Sequence, residues 1–282
     1  MNHLKIREHL QQFLLEDIGD RDITTETIFP EGLQGEGEFI AKEEGILSGS
    51  QIIKEVYHLL DPSIDITVDI MDGDVLQKGD RIATVSGNVR SILSGERIIL
   101  NLMQRMSGIA TMTNEAVKEL NSPKTKICDT RKTTPGLRTF EKYAVTCGGG
   151  YNHRFGLYDG VMIKDNHIAF CGSITTAVQK VRQQLGHMVK IEVETESKQQ
   201  VLEAVEAGAD VIMLDNRTPE EVFEMVQLIP GTIISEASGN ISLETISQYR
   251  ECNVDYISMG SLTHSTKSLD ISFNVKNQGG EK

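Results

Sequence analysis

The second half of the chain repeats short apolar runs that are separated by helix-like segments. Six runs are centred on Cys128, Met162, Glu192, Met213, Ile234 and Ile257. The segments with helical spacing between them are Thr139–Thr146, Ser173–Leu185, Lys198–Glu206, Glu220–Leu228 and Ser242–Glu251. This alternation of strands and helices predicts right-handed βαβ units and a parallel sheet. The short distance between successive strands favours a barrel over an open doubly wound sheet.

The first half shows another pattern. Its apolar residues predict an amphipathic first helix that ends before Gly19. Over residues 35–87, short apolar runs and turn residues surround a helical stretch at 51–60, which predicts a small sheet with a helix. A long helix is predicted at 91–120, with an interruption near Gly108. The chain is therefore predicted to be an α/β protein of two domains.

Composition narrows the class of protein. The chain has 282 residues, of which 39% are hydrophobic and 24% are charged, as in ordinary globular proteins. A net charge of −13 argues against nucleic acid as a partner. No apolar run approaches the roughly 18 residues of a membrane span, so no membrane role is expected. Four cysteines without a C-x-x-C pair, and a charged amino terminus, indicate a cytoplasmic protein with reduced thiols.

Polar residues follow all six predicted strands. The segments concerned are 129–132, 164–167, 192–194, 215–216, 236–240 and 260–261. In α/β barrels the active site is built where the strands end at their carboxyl side. We therefore expect these segments to converge on one site. No G-x-G-x-x-G motif follows a strand, which makes a dinucleotide-binding site improbable.

The basic residues at these strand ends suggest an anionic ligand. Four of them are Arg131, Lys132, Arg154 and Lys164. Guanidinium and ammonium groups suit carboxylate and phosphate oxygens. The stretch 131–164 carries a local charge of +4 within an acidic chain. Glu194 and Asp215 could hold Mg²⁺ or accept hydrogen bonds from sugar hydroxyls.

The last two loops have the composition of a phosphate site. Ser238-Gly239-Asn240 and Gly260-Ser261 follow the two final strands, where barrels often bind phosphate through backbone N–H groups. His264 could contact a phosphate or lie at the surface. His153 could donate a proton, clamp a ligand or serve only its loop. Asp165 is interpreted as a helix N-cap rather than a catalyst.

Taken together, the sequence resembles the quinolinate phosphoribosyltransferase family over nearly its whole length. Seven motifs in order carry the resemblance: Asp129–Arg138, Gly148–Arg154, Lys164–His167, Glu192–Glu194, Leu214–Asn216, Glu236–Asn240 and Ser258–His264. Cys147 departs from the family pattern, where threonine is expected. Seven ordered motifs make a chance match improbable.

The resemblance implies a fold and an assembly. The fold is an amino-terminal α/β sandwich domain over residues 1–114, which the tail 269–282 rejoins. An incompletely closed α/β barrel of the type II phosphoribosyltransferases follows over 115–268. The resemblance also implies at least a homodimer, in which Arg97 reaches into the partner's site.

The resemblance also implies a reaction and residue roles. Phosphoribosyl would pass from phosphoribosyl pyrophosphate to quinolinate, giving nicotinate mononucleotide, pyrophosphate and CO₂ in NAD biosynthesis. The residues implied for quinolinate are Arg131, His153, Arg154, Lys164 and the partner's Arg97. Those implied for phosphoribosyl pyrophosphate and Mg²⁺ are Lys132, Glu194, Asp215, Ser238, Gly239 and Gly260, and we add Asn240, Ser261 and His264 from the loops. Catalytic roles are expected for Lys132, Lys164, Glu194 and Asp215, the last two as metal ligands.

Two other functions stay open. One is a phosphoribosyltransferase of similar fold that acts on nicotinate without decarboxylation. The other is a barrel that binds a phosphorylated metabolite and performs no reaction. The acidic pair Glu194 and Asp215 argues against simple binding, because an anion binder has little reason to place carboxylates beside its ligand.

Overall fold

The computed structural model describes residues 1–276 of the chain. The chain forms two compact units. Among the described residues, the first unit comprises Met1–Met112, Thr134–Gly149 and residues 265–276, and the second comprises Thr113–Thr133 and Gly150–His264. The division at residues 114 and 268 stays a prediction, and the tail residues 277–282 lie outside the described part of the chain.

The first unit contains an antiparallel sheet. Elements are numbered along the chain, and its strands are β1 (Gln34–Ala41), β3 (Asp65–Val68), β5 (Arg81–Asn88) and β12 (Ile271–Val275). Their order in the sheet is β12-β1-β5-β3, and β2 (Gly45–Ile46) pairs separately with β4 (Val75–Leu76). On β1, Gly37, Phe39 and Ala41 are buried in alternation, as expected of a strand with one face in a core. The Phe39 and Phe273 rings pack with their centroids 4.9 Å apart.

Helices complete the first unit. They are α1 (His3–Ile18), α2 (Ile23–Ile28), α3 (Ser50–Leu60) and α5 (Arg138–Cys147), and α4 (Val89–Leu120) continues into the second unit. The buried residues of α3 recur at helical spacing and include Ile52, Val56 and Tyr57. The predicted first helix and the predicted sheet with its helix are thus present.

The predicted interruption of the long helix near Gly108 is wrong. Helix α4 runs unbroken from Val89 to Leu120. A Cβ atom at Gly108 would overlap the carbonyl oxygen of Lys267. The glycine therefore allows a neighbouring backbone to approach the helix closely, a role that sequence alone does not distinguish from a helix break.

The second unit is built on a parallel six-stranded sheet. Its strands are β6 (Lys126–Cys128), β7 (Val161–Ile163), β8 (Ile191–Thr195), β9 (Val211–Asp215), β10 (Ile234–Ser238) and β11 (Tyr256–Ser258). Each predicted strand centre falls within one of them. Their order is β6-β11-β10-β9-β8-β7, so β6 and β7 are both edges within residues 1–276. The prediction of an incompletely closed α/β barrel is confirmed.

Helices follow the strands of this sheet. They are α6 (Asp165–Cys171), α7 (Ile174–Gln184), α8 (Lys198–Glu206), α9 (Pro219–Val226) and α10 (Ser261–His264). Ser173, Ser197 and Thr218 cap α7, α8 and α9 by accepting backbone N–H groups of the first turn. Helix α7 packs on β7 and β8, and α8 packs on β8 and β9.

The helix predicted at Ser242–Glu251 is instead a 3₁₀ helix over Ile246–Cys252. The hydroxyl of Thr245 accepts the N–H of Ser242 at 3.0 Å, and the N–H of Thr245 donates to the carbonyl of Ser242 at 3.2 Å. Such local bonds between side chain and backbone compete with the start of an α-helix. Among residues 1–276, no helix has the length and apolar character needed to cross a bilayer.

Candidate active site

A cavity of about 650 Å³ lies in the second unit, where the strands end. Its lining includes every predicted site residue except Arg97: Arg131, Lys132, His153, Arg154, Lys164, Glu194, Asp215, Ser238, Gly239, Asn240, Gly260, Ser261 and His264. The carboxyl ends of parallel strands meet at one edge of a sheet, which explains why residues so far apart in sequence converge. Arg97 is exposed on α4, within the first unit.

Sequence reasoning missed several residues of the lining. They are Met162, Met213, Ile241 and Ser242. Thr130 and Asn216 also line the cavity, and they lie in the segments 129–132 and 215–216 that were expected to converge, whereas Ser258 begins the last of the seven motifs. Met162 and Met213 come from strands β7 and β9 and make part of the wall apolar.

The backbone of Lys132 is fixed by hydrogen bonds to two threonine side chains. Its carbonyl accepts the Thr263 hydroxyl at 2.8 Å, and its N–H donates to the Thr130 hydroxyl at 3.0 Å. A Cβ atom at Gly260 would lie 2.8 Å from Cδ of Lys132. Gly260 therefore leaves the space through which the Lys132 side chain passes.

Lys164 and Glu194 form an ion pair in the cavity. Nζ of Lys164 lies 2.6 Å from Oε2 of Glu194, and the Glu194 side chain is 12% exposed. The resemblance assigns these two residues to different substrates. In this structure each compensates the charge of the other.

The predicted capping role of Asp165 is wrong. Helix α6 begins at Asp165, and its N-cap is Lys164. The N–H of Lys164 donates to Nδ1 of His167 at 3.0 Å, and Asp165 accepts the N–H of Asn166 at 2.7 Å. The side chain of Asp165 thus bonds within its own turn and is absent from the cavity lining.

The loops after β9 and β10 are joined by amide side chains. Nδ2 of Asn240 donates to Oδ1 of Asn216 at 3.1 Å, and Nδ2 of Asn216 donates to Asp215 at 2.6 Å. Between them, Gly239 has φ +90°, and a Cβ atom there would lie 2.7 Å from the backbone nitrogen of Asn216. Only glycine satisfies this backbone angle and this close approach together. The result is a rigid, polar rim next to Asp215.

The Arg154 guanidinium is anchored through one of its nitrogens. Its Nη1 donates to the carbonyl of Gly160 at 2.8 Å, which fixes the side chain. Its buried Nε has no hydrogen-bond partner among the residues described. Burial, and then the positive charge of Arg131, lower the pKa of the Arg154 guanidinium. A ligand carboxylate could accept a hydrogen bond from this Nε–H and compensate the charges of the two arginines.

A buried acidic pair contacts His153. Nε2 of His153 lies 3.0 Å from Oε2 of Glu192 and 3.7 Å from Oε2 of Glu236. Burial, and then the charge of Glu192, raise the pKa of Glu236 to about 8. Sequence reasoning placed both glutamates at strand ends but gave them no role. The sequence did carry a hint of their position. Glu192 lies two residues before Glu194, and Glu236 lies two residues before Ser238, so each glutamate shares a strand face with a predicted site residue.

Fold and site together define a class of protein, an α/β barrel whose cavity is lined by basic side chains together with two carboxylates. The family model described as "Quinolinate phosphoribosyl transferase, C-terminal domain" matches residues 109–274, and the corresponding N-terminal domain model matches residues 22–107. The chain belongs to the quinolinate phosphoribosyltransferase family.

Individual relatives agree with this assignment. The chain is 57% identical to a probable nicotinate-nucleotide pyrophosphorylase (carboxylating) of Bacillus subtilis, over 98% of this chain and 95% of that protein. It is 43% identical to a protein of the same name from Synechocystis, over 94% of this chain and 91% of the relative. The crystal structure of NadC from Streptococcus pyogenes has a TM-score of 0.94 at 44% identity and covers 98% of both chains. Human nicotinic acid phosphoribosyltransferase, at 11% identity and a TM-score of 0.60, shares the fold alone.

Proposed function

We propose that this protein transfers phosphoribosyl from phosphoribosyl pyrophosphate to quinolinate with decarboxylation, and so makes nicotinate mononucleotide, pyrophosphate and CO₂ for NAD biosynthesis. It is then a carboxylating nicotinate-nucleotide pyrophosphorylase, a pentosyltransferase. The observation that carries the proposal is the convergence of separate basic and acidic groups in one cavity of a chain that belongs to this family. The names of the relatives at 57% and 43% identity support the same reaction.

The basic side of the cavity suits a dicarboxylate. Arg131, Arg154 and Lys164 line it together, and their charges match the two carboxylates of quinolinate. Arg154 is fixed by Gly160, so that its guanidinium is already oriented before a ligand arrives. His153 contributes to the same wall.

The remaining polar lining of the cavity suits a sugar phosphate. Glu194 and Asp215 are placed to accept hydrogen bonds from ribose hydroxyls. The phosphate groups would be bound by Lys132 and by the polar loop ends, which comprise Ser238, Gly239, Asn240, Gly260, Ser261 and His264. In this arrangement the ribose would lie between quinolinate and the pyrophosphate group.

The residues present also fit a bound Mg²⁺. Glu194 and Asp215 come from the neighbouring strands β8 and β9 and line the same cavity, and Mg²⁺ is usually held by one or two carboxylates together with substrate phosphates. When bound, the ion would neutralise charge on the pyrophosphate.

The chain's own groups account for the chemistry. As the bond from ribose C1′ to pyrophosphate breaks, Lys132 stabilises the negative leaving group, and the carboxylates of Glu194 and Asp215 stabilise the positive charge that develops at C1′. The pyridine nitrogen of quinolinate then bonds to C1′ and becomes positively charged. The positive charge on nitrogen stabilises the electron pair that stays on the adjacent ring carbon as its bond to the carboxylate breaks and CO₂ leaves. That carbon then takes a proton from water, so no further cofactor is needed. Arg131 and Arg154 hold the carboxylate that stays.

We further propose a homodimer in which Arg97 enters the partner's site. Exposed aromatic side chains of the second unit support association, because aromatic residues are enriched at protein–protein interfaces. Tyr158 and Phe170 are 80% and 95% exposed. A dicarboxylate would gain another cation from the partner's Arg97. We propose a cytoplasmic location, which suits four cysteines that form no disulfide.

Incubation of the protein with quinolinate, phosphoribosyl pyrophosphate and Mg²⁺ tests the function. We expect nicotinate mononucleotide, pyrophosphate and CO₂ in equal amounts. Lys132→Ala is expected to reduce turnover by at least about tenfold, because it removes a charge-assisted contact with the leaving group. Lys198→Ala, which lies on α8 and pairs with Glu224, serves as a matched control and should leave turnover unchanged.

Other products would identify the competing functions. Product from nicotinate, but none from quinolinate, would show a phosphoribosyltransferase without decarboxylation. Stabilisation by phosphoribosyl pyrophosphate without any pyrophosphate release would show a barrel that only binds its ligand. Either result would overturn the proposed reaction.

A further inference from the structure

Glu192 and Glu236 lie one layer below the cavity. Residues two apart on a strand share a face, so Glu192 lies beneath Glu194 on β8, and Glu236 lies beneath Ser238 on β10. Glu194 and Ser238 line the cavity, whereas the Glu192 and Glu236 side chains are 7% and 5% exposed. His153 belongs to both layers, since it lines the cavity and contacts both buried carboxylates.

Both ring nitrogens of His153 are engaged within the protein. The backbone N–H of Arg154 donates to Nδ1 at 2.8 Å, so Nδ1 carries no proton in this arrangement. The ring proton is then on Nε2, which faces Glu192 at 3.0 Å. Both ring nitrogens therefore have partners within the protein.

The same geometry favours a proton over a metal ion between these groups. His153, Glu192 and Glu236 each offer one atom that could bind a metal ion, and these three atoms lie within 4.8 Å of one another. A metal ion on Nε2 would require that nitrogen to lose its proton, and the neutral ring would then carry its proton on Nδ1. Nδ1 could no longer accept the N–H of Arg154. The observed bond at 2.8 Å is thus incompatible with ligation by a neutral imidazole.

The loop that carries His153 is fixed from a second direction. The buried carboxylate of Asp129 accepts the N–H of His153 at 2.9 Å and Nδ2 of Asn152 at 2.5 Å. The N–H groups of His153 and Arg154 thus both have fixed acceptors. Arg154, whose guanidinium lines the cavity, follows directly in the chain.

We propose that Glu192 and Glu236 are positioning residues that lock His153 in its Nε2–H tautomer and, through the Nδ1 acceptor, fix the backbone from which Arg154 binds quinolinate. His153 then acts on quinolinate binding through its bond to the N–H of Arg154. The inference rests on the proposed function and assigns the two buried glutamates to its quinolinate side.

Kinetics of Glu192→Gln and Glu236→Gln test this inference at about pH 9, above the pKa of about 8 of the native Glu236 carboxyl. A glutamine keeps the volume but can donate to Nε2, which releases the tautomer. We expect each variant to raise the KM for quinolinate by at least about fivefold, with the KM for phosphoribosyl pyrophosphate changed by less than about twofold. Glu196→Gln, an exposed residue just beyond β8, is the matched control and should leave both constants unchanged.

Nitrogen-15 NMR of histidine-labelled protein, with His153→Asn to assign the signal, measures the tautomer directly. The expected signal is a protonated Nε2 and an unprotonated Nδ1 in the native protein, disturbed in both glutamine variants. A proton on Nδ1, unchanged KM values or an equal rise in both would overturn the inference. The NMR result stands even if a variant fails to fold. If the native protein makes no nicotinate mononucleotide, the proposed reaction is wrong. The NMR experiment still determines the tautomer of His153 in that case.

Discussion

At the scale of single residues, charge in the second unit is arranged in two layers. The Lys164–Glu194 pair faces the cavity, and the Glu192–His153–Glu236 cluster lies beneath it. Lys164 and Glu194 line the cavity, so a bound substrate can replace either residue as the partner of the other. The lower cluster is buried, where an uncompensated charge is costly. In the proposed function, the Lys164–Glu194 pair contacts substrate, and the Glu192–His153–Glu236 cluster positions neighbouring residues of the site.

The lower cluster predicts a pH dependence of stability. The Glu236 carboxyl, which faces Glu192, His153 and Asp129, has its pKa raised to about 8 from an ordinary value of 4.5. Between these two values the folded protein retains a proton that the unfolded chain releases, so the free energy of unfolding decreases as pH rises. Glu236→Gln removes this titration. We expect Tm of the variant minus Tm of the native protein to increase by at least about 2 °C between about pH 5.5 and about pH 8.5.

Differential scanning calorimetry across this pH range measures the effect. Glu224→Gln, an exposed carboxylate on α9, is the control and should follow the native curve in this range. A constant difference between native protein and Glu236→Gln would contradict the raised pKa.

At the scale of elements, short loops rather than strands determine the geometry of the rim. Asn216, Gly239 and Asn240 all have positive φ, at 53°, 90° and 54°. Two of these residues are asparagines, which tolerate that region better than other side chains. The amide bond between Asn216 and Asn240 joins two neighbouring loops into one surface.

Gly239→Ala is expected to damage this rim. The methyl group would collide with the Asn216 backbone and impose positive φ on alanine, at a cost of about 1–3 kcal/mol. We expect the KM for phosphoribosyl pyrophosphate to rise by about tenfold, because Asp215 loses its fixed neighbour. Gly231→Ala has no atom within 4 Å of the new Cβ and should leave this KM unchanged. Steady-state kinetics decide, and an unaltered KM in Gly239→Ala would refute the role of the loop.

Elements with a strong pattern could be predicted from the sequence, and contacts between them could not. All six strands of the second unit follow from apolar runs, and their polar ends converge as parallel strands require. The 3₁₀ helix at Ile246–Cys252 was missed because the bonds of Ser242 and Thr245 override helical spacing. The link between Glu192 and Glu236 was missed because they lie on separate strands, and single-sequence patterns carry no cross-strand distances.

At the scale of the whole molecule, the proposed shared site predicts complementation. Arg97→Ala removes a group given to the partner, whereas Lys164→Ala removes one used in its own cavity. A mixed dimer of the two variants then contains one intact site and one doubly defective site. Random exchange of equal amounts should restore about a quarter of native activity.

Subunit exchange followed by the quinolinate assay measures this recovery. Each variant mixed with itself is the control and should stay inactive. Activity of the mixture no higher than the mean of its components would contradict a site shared between subunits.

The gap between β6 and β7 has a consequence for solubility. An unpaired strand edge is a template on which another chain can add and aggregate. The N–H of Tyr151 donates to the carbonyl of Ile127 at 2.8 Å, and the N–H of Asp129 donates to the carbonyl of Tyr151 at 3.1 Å, so this residue covers the edge of β6. His153 and Arg154 follow within three residues. One segment therefore both presents the anion-binding side chains and shields the sheet from other chains, so selection for binding and selection against aggregation act on the same few residues.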